Sequence, residues 1–334
     1  MSALSLLLLL IAVALAFDFL NGFHDSANVV ATIIASRAMS ARGALVLASL
    51  AELAGPFLLG VAVAETIGAE VARAEAISVA VILAALVAAS LWDLVTWYFG
   101  IPVSSSHALI GGIVGAAAAG SGLAASHAQG LWKVAIALFI SPFLGFVMAL
   151  AIMQATLWLL RGATPKANLA LSRVQVVTAI ALALAHGGND AQKTMGVIAM
   201  ALLALGFTPV FYVPWWVIAL SASAIALGTA VGGWRIIRTL GARFYRIRPI
   251  HGFTSQLSSA AVIMAASLAG GPVSTTQVVS MSIVGAGAAE RKSKVRWAAL
   301  NEIGVAWVLT LPATALLAVP LYYIIEITLR RGGG

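Results

Sequence analysis

Apolar residues run in long blocks from one end of this chain to the other. Stretches with few interruptions recur at 3–20, 43–64, 76–99, 131–160, 174–186, 195–206, 213–233, 255–270 and 303–329. A helix needs about 20 such residues to cross the hydrocarbon core of a bilayer, and several stretches reach that length. The 334 residues are 62% hydrophobic and 9% charged, against about 45–50% and about 25% in soluble globular chains. This composition specifies an all-α polytopic membrane protein. A β-barrel would instead alternate polar and apolar residues over segments of about ten residues. The first stretch ends in Ala-Val-Ala-Leu-Ala at 12–16, as a signal peptide can, but no Lys or Arg precedes it. It reads as the first membrane helix.

The net charge of +8 does not point to nucleic acid, because the basic residues sit in short loops between apolar blocks. There they orient the chain. Arg37 and Arg42; Arg161, Lys166 and Arg173; Arg235, Arg238, Arg243, Arg246 and Arg248; and Arg291, Lys292, Lys294 and Arg296 form four clusters, all cytoplasmic by the positive-inside rule. Loop 65–75 carries Glu65, Glu70 and Glu75 against Arg73, and loops 121–130 and 206–212 carry no Lys or Arg; these read as external. Counting from an external N-terminus gives five crossings before the mid-loop and five after it. About 10–12 membrane segments and two external termini are expected. Arg330 and Arg331 are the exception to the charge rule. With no cysteine in the chain, disulfides and thiolate metal sites are excluded.

An odd number of crossings per half makes any internal repeat an inverted one. The repeat is legible: Pro102–Ala119 aligns without gaps on Pro272–Ala289, with 9 of 18 positions identical. At a similar offset Asp25, in Asn-Gly-Phe-His-Asp-Ser-Ala-Asn, meets Asp190, in His-Gly-Gly-Asn-Asp-Ala-Gln-Lys. Residues 1–165 and 166–334 are thus expected to form two inverted-topology repeats of one transport domain, with broken or re-entrant motif helices.

Four polar islands interrupt the apolar text. Asn21–Asn28 lies inside an apolar span of 34 residues (3–36), where Gly22 and the Asn and Asp residues favour a break in the helix. A carboxylate at membrane depth is functional by default, so Asp25 is a candidate ion ligand. His186–Thr194 is its counterpart, with Asp190 matching Asp25 and Lys193 falling where the first half has Asn28. Lys193 suits either a carboxylate or an anion. The other two islands, Pro102–His107 and Pro272–Gln277, open helices with proline and consecutive hydroxyls: Ser104, Ser105 and Ser106, then Ser274, Thr275 and Thr276. Free amides of a first helical turn suit an oxyanion. Donors for an anion and carboxylates for a coupling cation belong to a secondary transporter. Glu52, Asp93 and Glu302 also lie inside apolar helices, and Asp18 lies close before the first motif. His127 and His251 fall near loops and carry no assigned role.

These residues resemble the inorganic phosphate transporter (PiT) family. The doubled motif, here Gly-Phe-His-Asp-Ser-Ala-Asn (22–28) and Gly-Gly-Asn-Asp-Ala-Gln-Lys (187–193), is similar to that family's signature. So are Gly-Ile-Pro-Val-Ser-Ser-Ser-His, Gly-Pro-Val-Ser-Thr-Thr-Gln and Ala-Trp-Val-Leu-Thr-Leu-Pro-Ala (306–313). The resemblance implies a symporter in the plasma membrane that imports inorganic phosphate with Na⁺ or H⁺, needs no other cofactor or metal, and is not an enzyme. It places Asp25, Asn28, Asn189 and Asp190, with Asn21 and His24, near the coupling ion. It places Ser104–Ser106 and Ser274–Thr276, with Lys193, near phosphate. His24 and Lys193 depart from the motif and put Na⁺ in question. A homodimer is implied by the resemblance alone. Sulfate is the alternative anion, and an intramembrane metalloenzyme using His24, Asp25, His107, His186 and Asp190 is the alternative of another class.

Overall fold

The computed structural model describes residues 2–70, 77–122 and 128–331. Arg73, Glu75 and His127, noted above, lie outside the described residues. The described residues are helical apart from short connections. In chain order the helices are α1 (Ala3–Ala35), α2 (Ala41–Leu59), α3 (Ala62–Glu70), α4 (Val79–Phe99), α5 (Ser105–Ser121), α6 (Ala128–Leu159), α7 (Ala167–Ala204), α8 (Trp215–Val231), α9 (Trp234–Ala242), α10 (Pro249–Leu268), α11 (Thr275–Glu290) and α12 (Trp297–Arg331). Six of them, α1, α2, α4, α6, α7 and α12, are long and apolar enough to span a membrane. The pair α8 and α9, bent by 71°, can supply a seventh span. The protein is a multi-pass membrane protein.

One order of helix lengths occurs twice. From α1 to α6 the helices have 33, 19, 9, 21, 17 and 32 residues. From α7 to α12 they have 38, 17, 9, 20, 16 and 35. The packing is exchanged between the halves: α2 lies on α7 as α8 lies on α1, α3 on α7 as α9 on α1, and α5 on α12 as α11 on α6.

Two expectations are corrected. Segments 102–120 and 272–289, counted as crossings, are α5 and α11, of 17 and 16 residues. At 1.5 Å per residue they are about 24–26 Å long, short of the roughly 30 Å core. Each folds back on the helix before it, α5 on α4 and α11 on α10. Gly100 (φ 68°) and Gly270 (φ 70°) make the reversals in a left-handed conformation that L side chains rarely adopt. The Ser104 and Ser274 hydroxyls then cap the returning helices, accepting from His107 N at 3.2 Å and Gln277 N at 3.3 Å. The two hairpin tips meet inside the protein, where Ser106 Oγ donates to Val273 O at 3.0 Å.

The second correction concerns the Asp motifs. Neither helix breaks there: α1 runs continuously through 21–28 and α7 through 186–194. Their polar groups find partners on other helices instead. Gly233 N donates to Ser26 Oγ at 2.8 Å, and Val63 N donates to Gln192 Oε1 at 2.8 Å. Each motif thereby anchors the start of a short helix, α9 for the first and α3 for the second. The outer helices α6 and α12 expose Phe139, Phe143, Trp158, Val308, Leu309 and Leu316, an apolar surface suited to lipid.

Candidate functional site

The site lies where the motifs of α1 and α7 meet the hairpin tips. Ser104, Ser105 and Ser106 are at most 2% exposed, and Ser274, Thr275 and Thr276 are each 1% exposed. Thr276 Oγ1 donates to the Asp25 carboxylate, and Thr275 Oγ1 to Asp190 Oδ2 at 3.1 Å. The two adjacent residues of one tip therefore serve one carboxylate from each half.

Around Asp25, His24 Nδ1 lies 2.8 Å from Oδ1, and Asn28 Nδ2 donates to Thr276 Oγ1 at 2.9 Å. Around Asp190, the Lys193 ammonium lies 2.5 Å from Oδ1. Sequence left open whether Lys193 meets a carboxylate or an anion; its partner is the carboxylate. Between them sits His186, with Nε2 3.4 Å from Asp190 Oδ2 and 4.0 Å from Asp25 Oδ2, and Nδ1 2.9 Å from Glu52 Oε1. Glu52 also accepts from Thr229 Oγ1 at 2.5 Å. Asp25, His186 and Asp190 offer ligand atoms that all lie within 4.8 Å of one another.

Among the described residues, the carboxylates of Asp18, Asp25, Glu52, Asp93 and Asp190 are buried with one lysine ammonium, that of Lys193. Isolated charges at such depth are costly, so the cluster needs protons or cations beyond Lys193.

Most of the residues singled out from sequence converge here. Asn189 instead donates to Ser267 Oγ at 2.8 Å on α10. The Asn21 amide and the Ser105 hydroxyl are buried and have no hydrogen-bond partner among the described residues. Four residues not chosen as site members join it. His186 and Glu52 form its centre, Asp18 accepts from Thr194 Oγ1 at 2.7 Å, and neither oxygen of buried Asp93 accepts a hydrogen bond among the described residues. A charge within an apolar block was the available signal for three of them. The same signal misleads for Glu302, which is 66% exposed and 3.6 Å from Arg243.

A family profile described as the phosphate transporter family matches residues 21–171 and again 160–318. A probable low-affinity inorganic phosphate transporter of Rhizobium meliloti (strain 1021) is 46% identical over 323 residues, which are 96% of this chain and 97% of that protein. One of Bacillus subtilis (strain 168), with the same description, is 42% identical over 327 residues, 97% and 98% of the two chains. A solved structure titled "The sodium-dependent phosphate transporter" has a TM-score of 0.87 at 22% identity, over 97% of this chain and 99% of that one; the fold is shared. These relatives are transporters and not enzymes. On the doubled profile match and the near full-length identity, the chain belongs to the phosphate transporter family.

Proposed function

We propose that the protein is a secondary symporter that imports inorganic phosphate with a cation, H⁺ or Na⁺, across the plasma membrane. The observation that carries this reading is the pairing of Thr276 with Asp25 and of Thr275 with Asp190. It gives the site a physical means of coupling. A carboxylate that accepts a hydrogen bond from a hydroxyl holds that donor away from a phosphate oxygen. A cation or proton on the carboxylate lowers its demand for the donor, and the hydroxyl becomes free to bind phosphate. By linkage, phosphate that draws the hydroxyl away strengthens cation binding by the same factor.

In this reading Ser104–Ser106 and Ser274–Thr276 bind phosphate, helped by the free amides of the first turns of α5 and α11. Asp25, Asp190 and their neighbours Asn21, His24, Asn28 and Asn189 serve the cation. Lys193 acts through Asp190 and is not a direct phosphate ligand. Residues 1–165 and 166–334 are the two inverted repeats, a division supported by the recurring helix order and the exchanged packing. Three crossings and one hairpin per half keep the inversion required by the loop charges, with both termini external. Alternating access then moves one repeat against the other around the buried tips.

The test is labelled phosphate uptake into proteoliposomes under an inward Na⁺ gradient and, separately, an inward H⁺ gradient, with sulfate as competitor. Accumulation above the gradient-free control under one drive supports the symporter and names its ion. Entry of labelled sulfate without phosphate, under both drives, overturns it.

A further inference from the structure

We propose that the Lys193 ammonium is a built-in cation that permanently fills one of two equivalent ion places, leaving Asp25 as the place for the mobile coupling ion. The inference rests on the symporter reading and names the residue that sets how many ions accompany the substrate.

The equivalence is geometric. Asp25 and Asp190 hold the same register in their motifs, and the residues three positions on are Asn28 and Lys193. Each carboxylate accepts from a hydroxyl of the same hairpin tip, Thr276 for Asp25 and Thr275 for Asp190. Asp25 also has a nitrogen on Oδ1, His24 Nδ1 at 2.8 Å, but an imidazole can give up its proton and leave the place to an ion; the fixed difference lies three positions on. Asn28 presents a neutral amide, whose nitrogen donates to Thr276 at 2.9 Å. Lys193 presents a charge, 2.5 Å from Asp190 Oδ1, with the lysine 1% exposed and the aspartate fully buried. That separation leaves no room for an ion between them. A cation bound to Oδ1 would meet the ammonium at a distance where like charges repel strongly in a low-dielectric interior.

The Asp25 side is furnished for an ion from solution. Asn28 Oδ1 is buried and accepts no hydrogen bond among the described residues, and the same is true of Asn21 Oδ1 on the same helix and of Asn189 Oδ1 beside Asp190, so it is the Lys193 charge and not the amide oxygens that sets the two places apart. Buried polar atoms without partners are uncommon, and amide oxygens with a carboxylate make the donor set of a hard cation. The buried carboxylate of Asp190 already has its counter-charge, covalently tethered. A chain with an uncharged residue at 193 would need one more cation from solution for the same charge balance.

The test begins with binding, which does not depend on transport. Purified wild type, Lys193→Asn and Lys193→Arg are melted in NaCl and in choline chloride. Lys193→Asn should gain a sodium-dependent rise in melting temperature, over and above any wild-type response, of roughly 2–4 °C at ten times the dissociation constant. Lys193→Arg, which keeps the charge, should behave as wild type. An asparagine variant that melts no differently with sodium than wild type does overturns the proposal. Should that variant fail to fold, the wild type decides: its cation-to-phosphate ratio, from the opposing gradient that just halts uptake, should be one, and a ratio of two overturns the built-in cation. Absence of wild-type phosphate uptake under any gradient would defeat the symporter reading alone, since the melting comparison reads ion binding by itself.

Discussion

Thr276 and Asp25, 251 positions apart in the chain, are in direct contact, with Thr276 Oγ1 3.1 and 3.2 Å from the two carboxylate oxygens. The contact ties a hydroxyl of the second hairpin tip to the α1 carboxylate, the link on which the proposed coupling rests. Asp25→Asn keeps the shape and removes the charge. Coupled uptake should fall by at least roughly a hundredfold, the scale of one or two charge-assisted hydrogen bonds, and Asp190→Asn should do the same. Uptake is compared at equal amounts of inserted protein by immunoblot. Wild-type rates in either variant would remove that carboxylate from the ion path.

The hydroxyls should act on affinity more than on rate. Thr275 donates to Asp190, and the Ser105 hydroxyl is buried beside the Asp93 carboxyl without a well-formed hydrogen bond among the described residues. Ser105→Ala and Thr275→Ala should each raise the KM for phosphate by about tenfold, the effect of one hydrogen bond to a charged ligand. Unchanged saturation curves in both would place phosphate elsewhere.

The helices and the polar islands were legible because membrane-length apolar blocks leave few alternatives and because each island occurs twice. The role of each island in the fold was harder to read. Gly22 with Asn21 and Asn28 suggested a broken helix, since nothing nearby in sequence shows that Gly233 N will meet Ser26. The Pro-Val-Ser segments looked like starts of crossings, because the burial of their tips depends on contact between halves 170 residues apart. The Glu52–His186 pairing was hidden for the same reason, linking α2 to α7. His251 carried no signal at all, yet its Nδ1 accepts from Arg248 N at 3.1 Å and its Nε2 lies 2.8 Å from Glu290.

The absence of cysteine from the chain makes the orientation directly measurable. Ala163, Ser293 and Val210 are all exposed. With both termini external, Ala163→Cys and Ser293→Cys should react with an impermeant maleimide only from the cytoplasmic face, and Val210→Cys only from outside. Labelling of Ala163→Cys and Val210→Cys from the same face would overturn α7 (Ala167–Ala204), which lies between them, as a crossing.

Glu290, at the end of α11, gathers Lys294 at 2.9 Å, His251 at 2.8 Å and Arg248 at 2.5 Å. Partial burial pushes its carboxyl up, but the hydrogen bonds of Lys294, His251 and Arg248 and the Arg248 charge outweigh this and hold it at about 2, below the ordinary 4.5. A depressed pKa stabilises the fold above the unfolded value and loses that contribution as pH falls through the folded one. The melting temperature should therefore drop between pH 4.5 and pH 2, and Glu290→Gln should flatten that part of the profile. Parallel profiles for the two proteins would show that the cluster adds nothing to stability.

Helix approach at the motif level depends on glycine. A Cβ added at Gly22 would lie 2.1 Å from Ile225 O, and one at Gly228 would lie 2.0 Å from Phe19 O. Helices α1 and α8 thus cross backbone to backbone, as membrane helices do at small residues. On the other side of the site, a Cβ at Gly187 would lie 2.5 Å from Glu52 O. Neither backbone can yield without shifting Asp25 or Glu52 from the cluster. Gly228→Ala should lower stability by about 1–3 kcal/mol, the usual range for overpacking, and should weaken uptake beyond the loss of folded protein. Gly304→Ala is the control, because nothing lies within 4 Å of its added Cβ. Equal melting temperatures for the two variants would mean that α1 and α8 pack less closely than the structure shows.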